Sequence, residues 1–200
     1  MKLRVAICGI DGAGKSTLAE NLVSVFSSHK IPVIYAKVPF PSKEVCAIAK
    51  IDGEDVVQKI IKRTGMAFDF VRYYSTFEKF NGILICDRYD VDYEILNRVY
   101  ELPQKYLCYM HSIYNVVPSV DLYIYLKISA EVAARRLEAR GDRACDESDL
   151  ILKNMAKEFD IIMHKQNVFL IDALQSTETI TKLAESKIIE LWEKVHDCQE

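Results

Sequence analysis

No stretch of this 200-residue chain approaches the roughly 18 consecutive apolar residues of a membrane span, and the apolar run from Val5 is stopped by Asp11, too short for a secretory signal. The cytoplasm is the compartment this leaves. Six cysteines contain no Cys-x-x-Cys pair, and Cys8 and Cys86 end apolar runs, so reduced structural thiols are expected. His29, His111, His164 and His196 have no partner three or four residues away, which argues against a protein-held transition-metal cage. Excess basic charge is also missing: 26 basic residues against 29 acidic give a net charge of −3, so no global field attracts a nucleic acid polymer or an anionic membrane. Finally, no Pro/Gly/Ser-rich linker, repeat or low-complexity tract divides the sequence, and a single domain over residues 1–200 is expected.

What is present is alternation. Short, β-branched apolar runs at Leu3–Cys8, Ile31–Ala36, Ile83–Cys86, Asp121–Leu126 and Asn167–Ile171 are separated by stretches of helical period. This predicts an α/β fold: a five-stranded parallel sheet with helices on both faces and ligands at the carboxyl ends of the strands. Ser129 reads as the N-cap of a helix to about Arg140, with Gly141 as its stop. The segment from Ser176 to Lys194, with Ile180, Leu183, Ala184, Ile188 and Leu191 on one face, reads as a packing helix without chemistry.

After the first strand comes Gly9-Ile10-Asp11-Gly12-Ala13-Gly14-Lys15-Ser16-Thr17, which matches GxxxxGK[ST] in full. Glycines let successive backbone N–H groups turn inward around phosphate oxygens, Lys15 reaches the β/γ oxygens, and the Ser16 hydroxyl ligates Mg²⁺. The expected helix from Lys15 to Ser28 points its positive end at the same anion. Ile83-Leu84-Ile85-Cys86-Asp87 is an apolar strand ending in an acid, the arrangement that puts a carboxylate beside the Mg²⁺ of a bound triphosphate. Arg136, Arg140 and Arg143 stand at i, i+4 and i+7, so a helix continuing that far would carry them as one stripe in a short lid, about residues 136–148. Such cations suit the charge that spreads over equatorial oxygens during phosphoryl transfer.

In these pieces the chain resembles the thymidylate kinase family of P-loop nucleoside monophosphate kinases. The likeness continues through Lys37-Val38-Pro39, Phe68-x-x-x-Arg72, Asp87-Arg88-Tyr89, Val120-Asp121-Leu122, Glu131-Val132-Ala133-x-x-Arg136-x-x-x-Arg140-Gly141 and Ile171-Asp172-Ala173. The resemblance implies the P-loop NTPase fold, ATP and Mg²⁺ as cofactors, and a small-molecule nucleotide as acceptor. It also implies residue roles: Asp11 accepts the hydroxyl of the acceptor sugar, Phe68 stacks on its base, Arg72 bonds the base edge, and Lys37 and Arg88 hold its phosphate. A helix-faced homodimer and a monomer leave the same periodicity.

The departures bear on the acceptor. Where the family shows a small polar residue followed by Ala-Tyr-Gln, this chain reads Asp92-Tyr93-Glu94-Ile95-Leu96-Asn97, with Asn97 at the amide position. Lys37 replaces the family's usual arginine, exchanging a bidentate fork for a point charge. A nucleoside monophosphate kinase is therefore expected, with dTMP the first acceptor and a modified pyrimidine nucleotide an alternative. A deoxynucleoside kinase is the other reading, but its hydroxyl acceptor needs a base after strand two, and Ile31 to Lys43 holds no Asp or Glu. A GTPase switch would show Asn-Lys-x-Asp, which is missing, and a regulator that had lost catalysis would not retain Lys15, Ser16, Asp87 and the arginines.

Overall fold

Each expected apolar run forms a strand, and the strands pair side by side because such runs bury both faces of a parallel sheet. A computed structural model of the chain describes residues 2–38, 56–141, 148–164 and 167–197. Its strands are β1 (Lys2–Cys8), β2 (Val33–Ala36), β3 (Gly82–Asp87), β4 (Leu122–Lys127) and β5 (Val168–Asp172), all parallel, in the spatial order β2-β3-β1-β4-β5. The described helices are α1 (Lys15–Ser28), α2 (Val56–Ser75), α3 (Asp90–Val99), α4 (Gln104–Tyr114), α5 (Ala130–Arg140), α6 (Asp149–Ile162) and α7 (Thr177–Asp197). Every residue of β3 is buried, and β4 is buried except at Lys127, so helices cover the sheet on both sides.

The chain leaves β1 for the edge strand β2, returns to β3, then passes over β1 to β4. Ligands bind at such reversals, outside the carboxyl ends of the strands. Ile7 lies opposite Asp87 and Ala36 opposite Cys86, which brings the ends of β1, β2 and β3 level. Residues that follow these ends in sequence are thereby gathered in space.

Local signals behave as their chemistry requires. Ser129 caps α5 by accepting the Val132 N–H at 3.3 Å, and Gly141 stops it in the left-handed region at φ 75°. In α7, Ala184 and Ile188 are fully buried, whereas Leu183, expected on the packing face, is 39 % exposed. On the α2 side of the sheet, Phe70 packs edge-on against Tyr74, Tyr89, Tyr93 and Tyr114 with centroids 4.9–5.3 Å apart.

Asp92 ties the start of α3 to this core. Its Oδ2 accepts the Tyr89 N–H at 3.2 Å, one of the orphan donors at the helix start. The side chain is wholly buried beside Cys8, and its Oδ1 has no hydrogen-bond partner. Burial raises its pKa to about 6, and the opposing charges of Arg88 and Lys15 only partly restrain the shift. An acid with a raised folded pKa destabilises the fold as pH climbs from its unfolded value to its folded one, and by a constant amount above that. Asp92→Asn removes this term. The stability of the variant minus that of the wild type should therefore grow by on the order of 2 kcal/mol between pH 4 and pH 7. Urea unfolding across that range is the check, and a difference independent of pH contradicts it.

Candidate functional site

The loop between β1 and α1 follows the end of β1 and lines a cavity with residues 11–14. Gly12, at φ 84°, must be glycine twice over: the left-handed backbone disfavours a side chain, and a Cβ would meet the Ala133 carbonyl oxygen of α5 at 2.8 Å. Gly14, at φ 97°, turns the chain into α1, whose first residues are Lys15, Ser16 and Thr17. The first turn of α1, whose N–H groups have no partner within a helix and whose end carries the positive pole, lines the same cavity. Lys15 is buried, and its Nζ donates to the carbonyl oxygens of Gly9 at 2.8 Å and Ile10 at 2.9 Å, with Asp11 Oδ1 3.5 Å away. Burial and the nearby Arg88 lower its pKa.

Asp87 closes β3 and is 2 % exposed. Its Oδ2 accepts two hydrogen bonds, from Ser16 Oγ at 2.6 Å and Tyr35 OH at 2.8 Å, and forms an ion pair with Lys37 Nζ at 3.0 Å. Burial alone would raise this carboxyl, but the Ser16 hydrogen bond and the charges of Lys15 and Lys37 hold it below its ordinary value. Tyr35 and Lys37 share a face of the β2 segment because they are two residues apart. Sequence reading picked out Lys37 and passed over Tyr35, although that period of two was visible. Lys37 also donates to Ser16 Oγ at 2.9 Å.

Arg88 follows at φ 73°, a rare conformation for a side chain of this size. The Tyr74 hydroxyl donates to its carbonyl at 2.8 Å, and its own N–H donates to Ile7 O at 3.2 Å, so the neighbours on both sides fix the turn. Its guanidinium then reaches back to form an ion pair with Asp11. Burial works against the Arg88 charge, but Asp11, Asp92 and Asp87 outweigh it and raise its pKa. Burial likewise opposes the Asp11 carboxylate, yet Lys15 and Arg88 pull its pKa down to about 2.

These groups line a cavity of about 540 Å³ whose far wall is α5 and the start of α7. Arg136 donates to the carbonyl oxygens of Gly12 at 3.3 Å and Ala173 at 2.8 Å, joining the loop to the segment after β5. Arg140 lines the cavity one turn further along. The left-handed Gly141 ends the helix there, so the expected stripe of three arginines is two residues long on α5, and Arg143 lies outside the described residues, as does Pro39. Leu126, Ala173, Thr177, Ile180 and Thr181 also line the cavity. The α7 contribution escaped sequence reading, because its apolar period announces packing and nothing more.

Three expected acceptor residues do not line this cavity. Asn97 is buried on α3, donates to Tyr114 OH at 3.3 Å, and leaves its Oδ1 without a partner. It faces the core because it repeats the buried face of Tyr93 four residues earlier. Phe68 is 58 % exposed on α2, and Arg72, also exposed, is paired with Asp69 at 3.2 Å. They form a separate patch of that helix, one turn apart.

The chain is similar to known proteins over most of its length. The thymidylate kinase family model matches residues 69–184. Probable thymidylate kinases are similar along most of their length: that of Sulfurisphaera tokodaii is 26% identical over 176 residues, covering 87% of this chain and 89% of the relative. That of Methanocorpusculum labreanum is 26% identical over 194 residues, covering 92% and 96%. Among solved structures, deoxyadenosine kinase from M. mycoides with the products dCMP and dCDP superposes with a TM-score of 0.69 at 20% identity, covering 94% of this chain and all of that one. That likeness is one of fold. Because the family model spans more than half of the residues and reaches from α2 through β3 and α5 into α7, the chain belongs to the thymidylate kinase family.

Proposed function

We propose that this nucleotide kinase transfers the γ-phosphoryl group of ATP to a pyrimidine deoxynucleoside monophosphate, dTMP being the first candidate. The observation that carries the reading is the state of the carboxylates at the cavity. Asp11 is held by Lys15 and Arg88, and Asp87 by Ser16, Tyr35 and Lys37, and both have lowered pKa values. Groups so committed to cations and donors are poor bases for a neutral sugar hydroxyl. A phosphate monoester, with a second pKa near 6, already presents a nucleophilic oxygen at neutral pH and needs alignment and charge neutralisation.

In this reading the loop N–H groups of residues 12–17 and the α1 dipole hold the β- and γ-phosphates, and Lys15 turns from the loop carbonyls to their oxygens. Arg140 faces the charge that develops on the transferred group, and Arg136 keeps the loop against the segment after β5. Arg88 and Lys37 hold the acceptor phosphate, with Asp11 fixing Arg88. Asp11 on the sugar hydroxyl completes the acceptor roles inside the cavity, while Phe68 on the base and Arg72 on its edge, the roles the family resemblance implies, would have to act from the exposed face of α2 outside it. Ser16 Oγ and Asp87 Oδ2, hard oxygens 2.6 Å apart, fit Mg²⁺, which keeps most of its ligands as water and phosphate oxygen. The bound ion neutralises charge on the triphosphate.

A coupled ADP-release assay with nucleoside monophosphates and free nucleosides tests the reading. Turnover is expected with a pyrimidine deoxynucleoside monophosphate. Activity confined to unphosphorylated nucleosides would promote the deoxynucleoside kinase reading, which the fold likeness to deoxyadenosine kinase favours.

Lys15→Met should fold normally by circular dichroism and lose turnover by on the order of 10³ or more. An unchanged rate would remove the loop from the chemistry. Arg140→Ala should lower kcat by about 10-fold or more with a smaller rise in the KM for ATP, as expected of a contact made mainly in the transition state. Arg136→Ala, which loosens the loop, should raise that KM as well. Normal kcat in Arg140→Ala, with a change only in melting temperature, makes the arginine a surface residue.

A further inference from the structure

The proposed function leaves Lys37 with two demands on one ammonium. Its backbone is pinned, the N–H donating to Tyr73 OH at 3.2 Å, while its side chain is 53% exposed and free to swing. The ammonium is drawn to Ser16 Oγ at 2.9 Å and Asp87 Oδ2 at 3.0 Å. These are the two oxygens that fit a divalent cation. Ser16 gives its hydrogen to Asp87 at 2.6 Å, so the hydroxyl faces Lys37 with its lone pairs, the electrons that ligate a metal. A metal on these oxygens at about 2.1 Å and an ammonium about 3 Å from both are charges of one sign crowded onto one short edge. Tyr35 OH, bonded to Asp87 Oδ2 at 2.8 Å, keeps the carboxylate in place whichever cation is there.

Resting on the reading of this protein as a monophosphate kinase, we propose that Lys37 is a displaceable counter-ion. Its ammonium competes with the divalent cation for Ser16 Oγ and Asp87 Oδ2, and the lysine expelled by the metal–nucleotide complex is the one that engages the acceptor phosphate. The donor and acceptor sides are thereby coupled through one side chain. The coupling gives a physical meaning to lysine at a position where arginine was expected. An ammonium is compact, has three rotatable donors on a flexible stem, and can stand in for a metal ion, whereas a planar guanidinium fork suits a fixed phosphate. Linkage makes the effect reciprocal: whatever draws Lys37 to the acceptor side raises metal affinity by the same factor that metal raises acceptor affinity.

The test is a Mn²⁺ titration followed by electron paramagnetic resonance, with a non-hydrolysable ATP analogue present and no acceptor. Lys37→Met and Lys37→Gln, each checked for folding by circular dichroism, should bind Mn²⁺ about 5-fold or more tightly than wild type. Addition of dTMP should tighten Mn²⁺ binding in the wild type by a comparable factor and leave both variants unchanged. Equal or weaker Mn²⁺ binding in the folded variants overturns the competition, and a wild type indifferent to dTMP overturns the coupling. The Mn²⁺ titration without acceptor needs no turnover. If the kinase assay finds no monophosphate acceptor, the functional reading fails while this titration still decides the competition; if turnover is present and the titration is flat, the inference about Lys37 fails alone.

Discussion

One carboxylate oxygen, Asp87 Oδ2, joins three parts of the chain that are far apart in sequence. From the end of β3 it accepts hydrogen bonds from the first turn of α1 through Ser16 and from edge strand β2 through Tyr35, and it pairs with Lys37 just beyond that strand. An isolated carboxylate this deeply buried would cost several kcal/mol, so the fold must supply those donors or protonate the group. Supplying them requires the strand register, with Ile7 opposite Asp87 and Ala36 opposite Cys86. Slipping either pairing by one residue would turn the side chains to the other face and leave the acid unpaired. The geometry of the cavity mouth is therefore a condition of stability as much as of chemistry.

A second charge centre lies one residue along the chain. Arg88 holds a left-handed backbone, fixed by Tyr74 and Ile7, and that turn is what directs its guanidinium to Asp11 in the loop. The aromatic cluster around Phe70 includes both Tyr74 and Tyr89, so core packing on one side of the sheet sets the position of a cation on the other side of the turn. Cations thus meet at the carboxyl edge with every nearby cavity carboxylate already engaged. A site of this kind suits the neutralisation of an incoming polyanion, which is why the proposed function places a phosphate rather than an alcohol on the acceptor side.

Much of this was legible in the sequence because it follows from local chemistry. Short, β-branched apolar runs mark the strands, a fixed glycine spacing marks the loop, and Ser129 and Gly141 mark the ends of α5. Gly141, read as that stop, ends α5 at Arg140, so α5 itself carries two of the three arginines. What remained hidden depends on contacts between distant segments. Nothing local distinguishes an Asn97 that caps a substrate from one that bonds Tyr114 in the core, and nothing near Lys37 says that its ammonium reaches Ser16 and Asp87. The participation of α7 in the cavity arises from where β5 delivers the chain, which is a property of strand order.

The central claim is that phosphoryl transfer here ends on a phosphate oxygen. Phosphorus NMR of the wild-type protein with ATP, Mg²⁺ and dTMP reports this directly, because the fate of the γ-phosphorus is visible without a coupling enzyme. The account predicts that the γ resonance of ATP declines while the paired resonances of a new nucleoside diphosphate grow in equal measure with those of ADP. Loss of the γ resonance to inorganic phosphate alone, or transfer only when thymidine replaces dTMP, would contradict it.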